Sequence, residues 1–305
     1  NLSYNTAESA IQTMFEQFGT VDEVFLARDR ETGRSRGFAF VTMNNDEEGQ
    51  AAIERIQATL PTARLELARL DLGSLASVRA AADAAAQIGP IDVLVNNAGV
   101  MAPPYQRTVD GFEMQMATNH FGPFLLTGLL LPQLAQSGDG RVVTVSSMMH
   151  KFAVKAPLGD PRSESGHYSR WKVYGQSKLA NLYFTAELDR RLREKGLPVR
   201  ALAAHPGFAG THLAANGQYG RSSGGVATIL DAGIKAVSQS AASGAWPSLM
   251  AATEDLPGNT YVGPGGFQQM SGRPRIVGRS KLAKNEKSAR KLWEISEQTV
   301  DLHYP

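Results

Sequence analysis

"YGQSKLANLYFTAELDRRLREKG", residues 174 to 196, decides how the larger part of this chain is read. Its apolar positions recur at helical spacing and Gly196 offers a C-cap, so the stretch is predicted to be an amphipathic helix. Tyr174 and Lys178 stand i, i+4 at its start and project from one face as neighbours. A phenol titrates near pH ~10 when unperturbed, and a neighbouring ammonium favours its ionised form, which suits the pair to proton exchange. The spacing is weak by itself, because a second pair, Tyr168 with Lys172, lies just upstream. Tyr168 sits in polar sequence, "ESGHYSRW", so Tyr174 is preferred.

Working outward, strand-like runs alternate with helical ones. The strands are "ARLELARLDL" (63 to 72), "IDVLVNNAG" (91 to 99), "GRVVTVSS" (140 to 147) and "VRALAAHPG" (199 to 207). Between them lie the helical runs "SLASVRAAADAAAQIG" (74 to 89) and "GFEMQMATNHFGPFLLTGLLLPQLA" (111 to 135), the latter one long or kinked helix. Strand after strand separated by helix predicts parallel pairing and a doubly wound α/β sheet. No internal repeat or low-complexity linker interrupts the pattern.

Six motifs follow one another in order: "DLGSL" at Asp71, "NNAG" at Asn96 to Gly99, "TNHFGPF" around Asn119, "VVTVSS" ending in Ser147, "YGQSK" from Tyr174 to Lys178, and "HPGFAGT" from His205 to Thr211. Over about 245 residues from Thr59 they resemble the short-chain dehydrogenase/reductase family. "KLWEISEQT" near the end, and the long interval from Ser147 to Tyr174, are similar to its retinol-dehydrogenase-like branch.

The resemblance implies a Rossmann-like fold and an NAD(P)-dependent oxidoreductase acting on a small-molecule carbonyl or alcohol. The choice between NADP and NAD stays open. Tyr174 would exchange a proton with the substrate oxygen while the nicotinamide exchanges hydride with its carbon. Ser147 would hold that oxygen, Lys178 would contact the nicotinamide ribose, and Asn119 would complete a water-linked proton path. On the cofactor, Asp71 and Leu72 would meet the adenine, and the turn of Asn96, Asn97, Ala98 and Gly99 would let the adenosine side approach backbone. Pro206, Gly207 and Thr211 would line the nicotinamide end. Asp71 is also a candidate N-cap for the helix that follows it. Helices such as "NLYFTAELDRRLREKG", residues 181 to 196, commonly pair subunits in the family, so the resemblance makes a homo-oligomer one option and leaves the oligomeric state open.

Residues 1 to 54 have another texture, with ten acidic against four basic residues, a balance of −6 where the remainder carries +8. Within them "ETGRSRGFAF", residues 31 to 40, nearly spells the TGxxxGxG turn that holds a dinucleotide. Such a turn must follow a buried strand and open a helix, because the pyrophosphate sits on free N–H groups at the helix start. Here charged "ARDRE" precedes Thr32 and the alternating strand "FAFVTM" follows Gly37. Only 39 residues separate Thr32 from Asp71, too few for the elements the family places there.

"VDEVFLARD" and "RGFAFVTM" instead predict a β-hairpin, flanked by the helices "AESAIQTMFEQF" and "DEEGQAAIERI". These residues resemble part of an RNA recognition motif. That resemblance implies base stacking by Phe38 and Phe40 and a phosphate contact by Arg36, with weak RNA binding, since the negative balance adds little attraction for phosphates. The expected organisation is a partial RNA-recognition-motif-like α/β segment over 1 to 54. A dehydrogenase domain over 55 to 305 follows, without its native first strands and glycine turn. Two alternatives are an RNA-binding module on an inactive Rossmann-like scaffold and a non-functional fusion of two fragments.

Composition closes off other classes. The chain of 305 residues is 42% hydrophobic and 20% charged, the balance of a soluble globular protein. It has no cysteine, which removes disulfides and thiolate chemistry, and its six His residues lack ligand spacing, so no metal is expected. The most apolar run, Phe121 to Ala135, is broken by Pro123 and Pro132 and falls short of the roughly 20 residues of a membrane span. With no signal peptide recognised at Asn1, the expectation is a cytoplasmic protein without membrane contact.

Overall fold

The computed structural model describes residues 21–24, 38–39, 41–43, 46–159, 161, 168–207 and 240–304. In chain order these form β1 (Val21–Val24), β2 (Phe38–Ala39), β3 (Val41–Met43), α1 (Asp46–Thr59), β4 (Arg64–Leu65), α2 (Leu75–Ala86) and β5 (Val93–Asn96). Then come α3 (Met114–Met116), α4 (Gly122–Gln136), β6 (Gly140–Val145), α5 (Arg170–Glu194) and β7 (Val199–Ala204), followed by α6 (Ala241–Thr253), β8 (Tyr261–Pro264), β9 (Pro274–Ile276) and α7 (Glu286–Val300).

The central sheet has five strands in the order β5, β6, β7, β8, β9. The first four are parallel, and β9 returns antiparallel on the edge. Val142 and Val143 of β6 are both fully buried, so both faces of the sheet are covered. Val142 joins the core built from α4, α5 and α7, whereas Val143 joins Val262, Ala251 and Leu256 on the α6 side. Helices on both faces of a mainly parallel sheet are what the alternation of strands and helices predicted. The strands β8 and β9 were not anticipated; Gly263 and the flanking prolines Pro264 and Pro274 obscure the β pattern there.

The N-terminal segment pairs in two ways. β1 and β3 form the expected antiparallel hairpin, and α1 coincides with the expected helix. The strand expected over 63 to 72 is confined to Arg64–Leu65, and it pairs parallel with Phe38–Ala39 rather than entering the five-stranded sheet. Parallel strands joined through a helix constitute a βαβ unit. Among the described residues no further strand lies on the outer edge of β5.

Local chemistry sets the elements that carry the site. The N-cap of α2 is Ser74, whose hydroxyl accepts from the Ser77 amide at 3.3 Å. Asp71 therefore does not cap that helix; its carboxylate closes the preceding turn on the Gly73 amide at 2.8 Å. The long helical run takes the kinked form: between α3 and α4 the residues Ala117–Phe121 form a π-helical turn. Pro123 is the physical reason, because it has no N–H to donate to the Asn119 carbonyl and the ladder slips, with Gly122 bonding back to Ala117. Helix α5 starts at Arg170, one turn before Tyr174, and ends where Gly196 turns with φ +63°.

The C-terminal helix is locked onto this frame. Trp293 stacks on Phe184 at 5.9 Å and meets Tyr304 edge-on at 4.6 Å, with the Arg191 guanidinium 4.6 Å from its ring. The Tyr304 hydroxyl donates to the Phe124 carbonyl at 2.6 Å, and Arg79 donates to the Val300 carbonyl at 2.7 Å. Fully burying each such aromatic contributes about 1.5 to 3 kcal/mol.

Candidate active site

Tyr174, Lys178, Ser147 and Asn119 converge beside the carboxyl ends of β5 and β6, where ligands bind in open parallel sheets. Helix α5 presents Tyr174 and Lys178 on one face, with the Lys178 ammonium 5.9 Å from the centre of the Tyr174 ring. Both are buried, each with about 4% of its surface exposed. The Ser147 hydroxyl neighbours the Tyr174 phenol and favours its ionised form. It also accepts from the Met149 amide at 3.2 Å, as N-cap of the 3-10 helix Met148–Phe152.

The electrostatics differ from the expectation that the ammonium would hold the phenol ionised. Burial pushes the Tyr174 phenol up to about 12 and outweighs the lowering by the Ser147 hydroxyl. Burial likewise brings Lys178 down to about 8. Charge is disfavoured on both groups, because each has been taken out of water. At neutral pH Tyr174 is a phenol and holds a proton ready to donate.

Asn119 sits on the π-helical turn, 1% exposed. Its carboxamide oxygen accepts from the Val100 amide at 2.7 Å, and its nitrogen donates to the Val100 carbonyl and to the Ser177 hydroxyl, both at 2.9 Å. Ser177 in turn donates to the Tyr174 carbonyl at 2.9 Å. A side chain at Gly99 would stand 2.7 Å from the Asn119 oxygen and 3.3 Å from the Lys178 nitrogen, so this glycine is what lets the turn pass against both.

The residues expected to hold a cofactor divide into three groups. Asn97, Ala98 and Gly99 lie partly exposed after β5. The Asn96 side chain is turned inward and donates to the Thr127 hydroxyl at 2.9 Å, so Asn96 offers the site only its backbone. Gly207 has φ +74° and packs so closely that a side chain there would lie 2.4 Å from the Met270 carbonyl. Asp71 is exposed and Leu72 half-buried, the latter with its carbonyl against Gly122. Thr211 lies outside the described residues, as do Arg36 and Phe40; of Phe38 the backbone is described, as part of β2.

The tyrosine of the competing pair, Tyr168, has different partners. Tyr168 donates to the Glu113 carboxylate at 2.8 Å and accepts from Gln115 at 2.8 Å, a structural clamp at the start of α3. Burial and the Glu113 charge both raise its phenol pKa. Two residues close to the site were missed in the sequence, Ser177 and His150. His150 is fully buried, and its ring touches the Ser147 carbonyl and the Ser280 amide. Only the spacing of His150 three residues after the strand-end serine pointed to it.

Comparison with known proteins places this geometry. The short chain dehydrogenase family model matches residues 33–158. Human retinol dehydrogenase 12 is 34% identical over 284 residues, covering 90% of this chain and 83% of that protein. The chain belongs to the short-chain dehydrogenase family. A second relative, the short-chain dehydrogenase TIC 32 A, chloroplastic, of Brassica napus, is 36% identical over 202 residues, 64% of this chain. This chain spans 63% of that relative's length. Among solved structures, an uncharacterized protein from Mycobacterium paratuberculosis superposes with a TM-score of 0.67 at 44% identity, covering 86% of this chain and 83% of that one. The RNA recognition motif model matches residues 1–62. The two matches overlap over residues 33–62, the stretch that contains β2, β3 and α1.

Proposed function

We propose that this chain is an NAD(P)-dependent oxidoreductase that reduces a carbonyl, or oxidises the matching alcohol, at the site of Tyr174. The observation that carries the reading is the convergence of a buried Tyr174 phenol, the Ser147 hydroxyl near it and the Lys178 ammonium beside its ring, in a chain of the short-chain dehydrogenase family. The described residues fit the nicotinamide half of such a cofactor. Lys178 makes one hydrogen bond, to the Val145 carbonyl at 3.2 Å, and has further donors to offer a ribose. Gly99 and Gly207 keep backbone accessible beside it. The cofactor supplies the hydride acceptor or donor.

In this mechanism Ser147 orients the substrate oxygen toward Tyr174 and Tyr174 gives it a proton. Lys178, held near pH 8, takes up or releases the proton that restores the phenol, along the Asn119 turn. Trp171 stands edge-on to Tyr174 at 6.3 Å, with Phe152 and Val154 exposed nearby in sequence after Ser147, which favours a substrate with an apolar body. Tyr174→Phe is expected to abolish NADPH- or NADH-dependent turnover while the protein melts as before. An unchanged rate would remove Tyr174 from the chemistry.

Two finer points belong to the same reading. The start of the dehydrogenase region is placed upstream of residue 55, supported by the family match from residue 33 and by the parallel β2 to β4 pairing. The pyrophosphate turn is the weak point, since in the sequence charged "ARDRE" precedes Thr32 and the alternating run "FAFVTM" follows Gly37, where a buried strand and a helix are needed, so the cofactor is expected to bind weakly. Isothermal titration with NADPH and then NADH measures this directly.

The second reading is RNA binding through residues 1–62, favoured by the RNA recognition motif match and the antiparallel β1 to β3 hairpin. Binding of single-stranded RNA that disappears in the double variant Phe38→Ala, Phe40→Ala supports it; binding indifferent to both refutes it.

A further inference from the structure

We propose that His150 is a positioning residue for Ser147: a neutral imidazole strut that holds the Ser147 peptide against the backbone at Ser280. The inference rests on the oxidoreductase reading above for what Ser147 does there, and on the hydrogen bonds for how it is held.

The ring is fully buried and both its nitrogens are engaged. Nε2 receives the Ser280 amide at 3.2 Å. A backbone N–H can only donate, so Nε2 is unprotonated and the ring proton is on Nδ1. Nδ1 lies 2.7 Å from the Ser147 carbonyl and donates to it. The same carbonyl accepts the His150 amide at 3.1 Å, so two donors of one residue hold it. Ser147 is extended, with φ −152° and ψ 157°, and turning its peptide would swing its hydroxyl away from Tyr174.

The strut is itself fixed. Tyr261 packs edge-on to the ring at 5.8 Å and 81°, and the Arg279 guanidinium lies 5.8 Å from the Tyr261 ring. Arg279 is anchored on Asn259. The segment after β9 thus reaches the end of β6 through one imidazole. The neighbouring ionisable groups are Tyr261, His205, Lys151 and Arg279. The positive charges near the ring, like its burial, favour its neutral form.

The test has two arms on the full chain. Long-range 1H–15N correlation spectra at pH 7, with the His150 signals assigned by their loss in His150→Asn, should show a neutral ring protonated on Nδ1. A ring protonated on Nε2, or on both nitrogens, overturns the proposal whatever the activity. In the second arm His150→Leu should lower kcat with NADPH and a panel of aldehydes by about 100-fold with KM little changed, the scale of a misplaced reacting group. His150→Asn, which keeps a donor where Nδ1 stands, should recover most of that loss. In a Ser147→Ala background His150→Leu should add nothing further, because it acts through Ser147. A folded His150→Leu with wild-type kcat, or losses that multiply in the double variant, would defeat it. A wild-type chain that never turns over defeats the oxidoreductase reading and the positioning role together, yet leaves the tautomer result standing, so the two failures are told apart.

Discussion

The side chain of Asn119 and the backbone of Val100 are joined by two hydrogen bonds, one in each direction, at 2.7 and 2.9 Å. The pair ties the turn after β5 to the π-helical turn as a strand partner would. Asn119→Leu leaves the Val100 amide and carbonyl and the Ser177 hydroxyl without it, at a cost of about 1 to 3 kcal/mol for each group left unpaired. Urea unfolding should show a loss of several kcal/mol, and turnover should fall with it. Stability within about 0.5 kcal/mol of wild type would mean that this double bond does not hold the turn.

Lys178 is buried beside a phenol that stays protonated, and its ammonium is brought down to about 8 from 10.5. Keeping that charge at neutral pH costs on the order of 3 kcal/mol by the shift alone. Lys178→Met should therefore raise stability at pH 7 while abolishing turnover. The Val145 carbonyl keeps a donor in Asn181 at 3.0 Å. Because the folded form binds fewer protons between pH ~8 and ~10.5, wild-type stability should rise with pH across that window, and the advantage of the variant should shrink there.

Tyr168 and Tyr174 share the same spacing to a lysine but not the same surroundings. Tyr168→Phe removes a hydroxyl that bridges Glu113 and Gln115, and it should cost about 1 kcal/mol in thermal or urea unfolding. Turnover should stay within about twofold of wild type. A large fall in kcat from this substitution would reverse the assignment of the two pairs.

His120, His150 and His205 are all buried, and burial brings them down to about 3, 4 and 4. The unfolded chain takes up these protons near pH 6.5, so between pH ~6.5 and ~4 it binds up to three more than the folded one. Stability then rises with pH in this window and is lost as pH falls, at about 1.4 kcal/mol per histidine per pH unit. Urea titrations from pH 7 to 4.5 should show the decline, and His150→Asn should reduce its slope by about a third. A flat profile between pH 6.5 and 5 would contradict the neutral, buried state of these rings.

Periodicity and local chemistry made part of the fold legible along the chain. The alternation of apolar runs and helical stretches gave the parallel sheet with helices on both faces. Gly196 marked the end of α5, and the i, i+4 spacing put Tyr174 and Lys178 on one face, while the run through Pro123 reads only as one long or kinked helix. These follow from backbone geometry and hold whatever packs around them.

Only the tertiary structure decided which groups lose water and which find partners. Burial outweighed the attraction expected between Lys178 and Tyr174, Tyr168 turned out to be clamped by Glu113, and the Asn96 side chain faced Thr127. The two-residue β4 and its pairing with Phe38–Ala39 were likewise invisible, since a strand's partner is chosen by what edge is free. His150 meets Ser280, 130 positions away in the chain, and no local pattern encodes a contact of that range. Desolvation and long-range hydrogen bonding depend on the assembled neighbours, which is why candidate site residues could be named from the chain while their electrostatics could not.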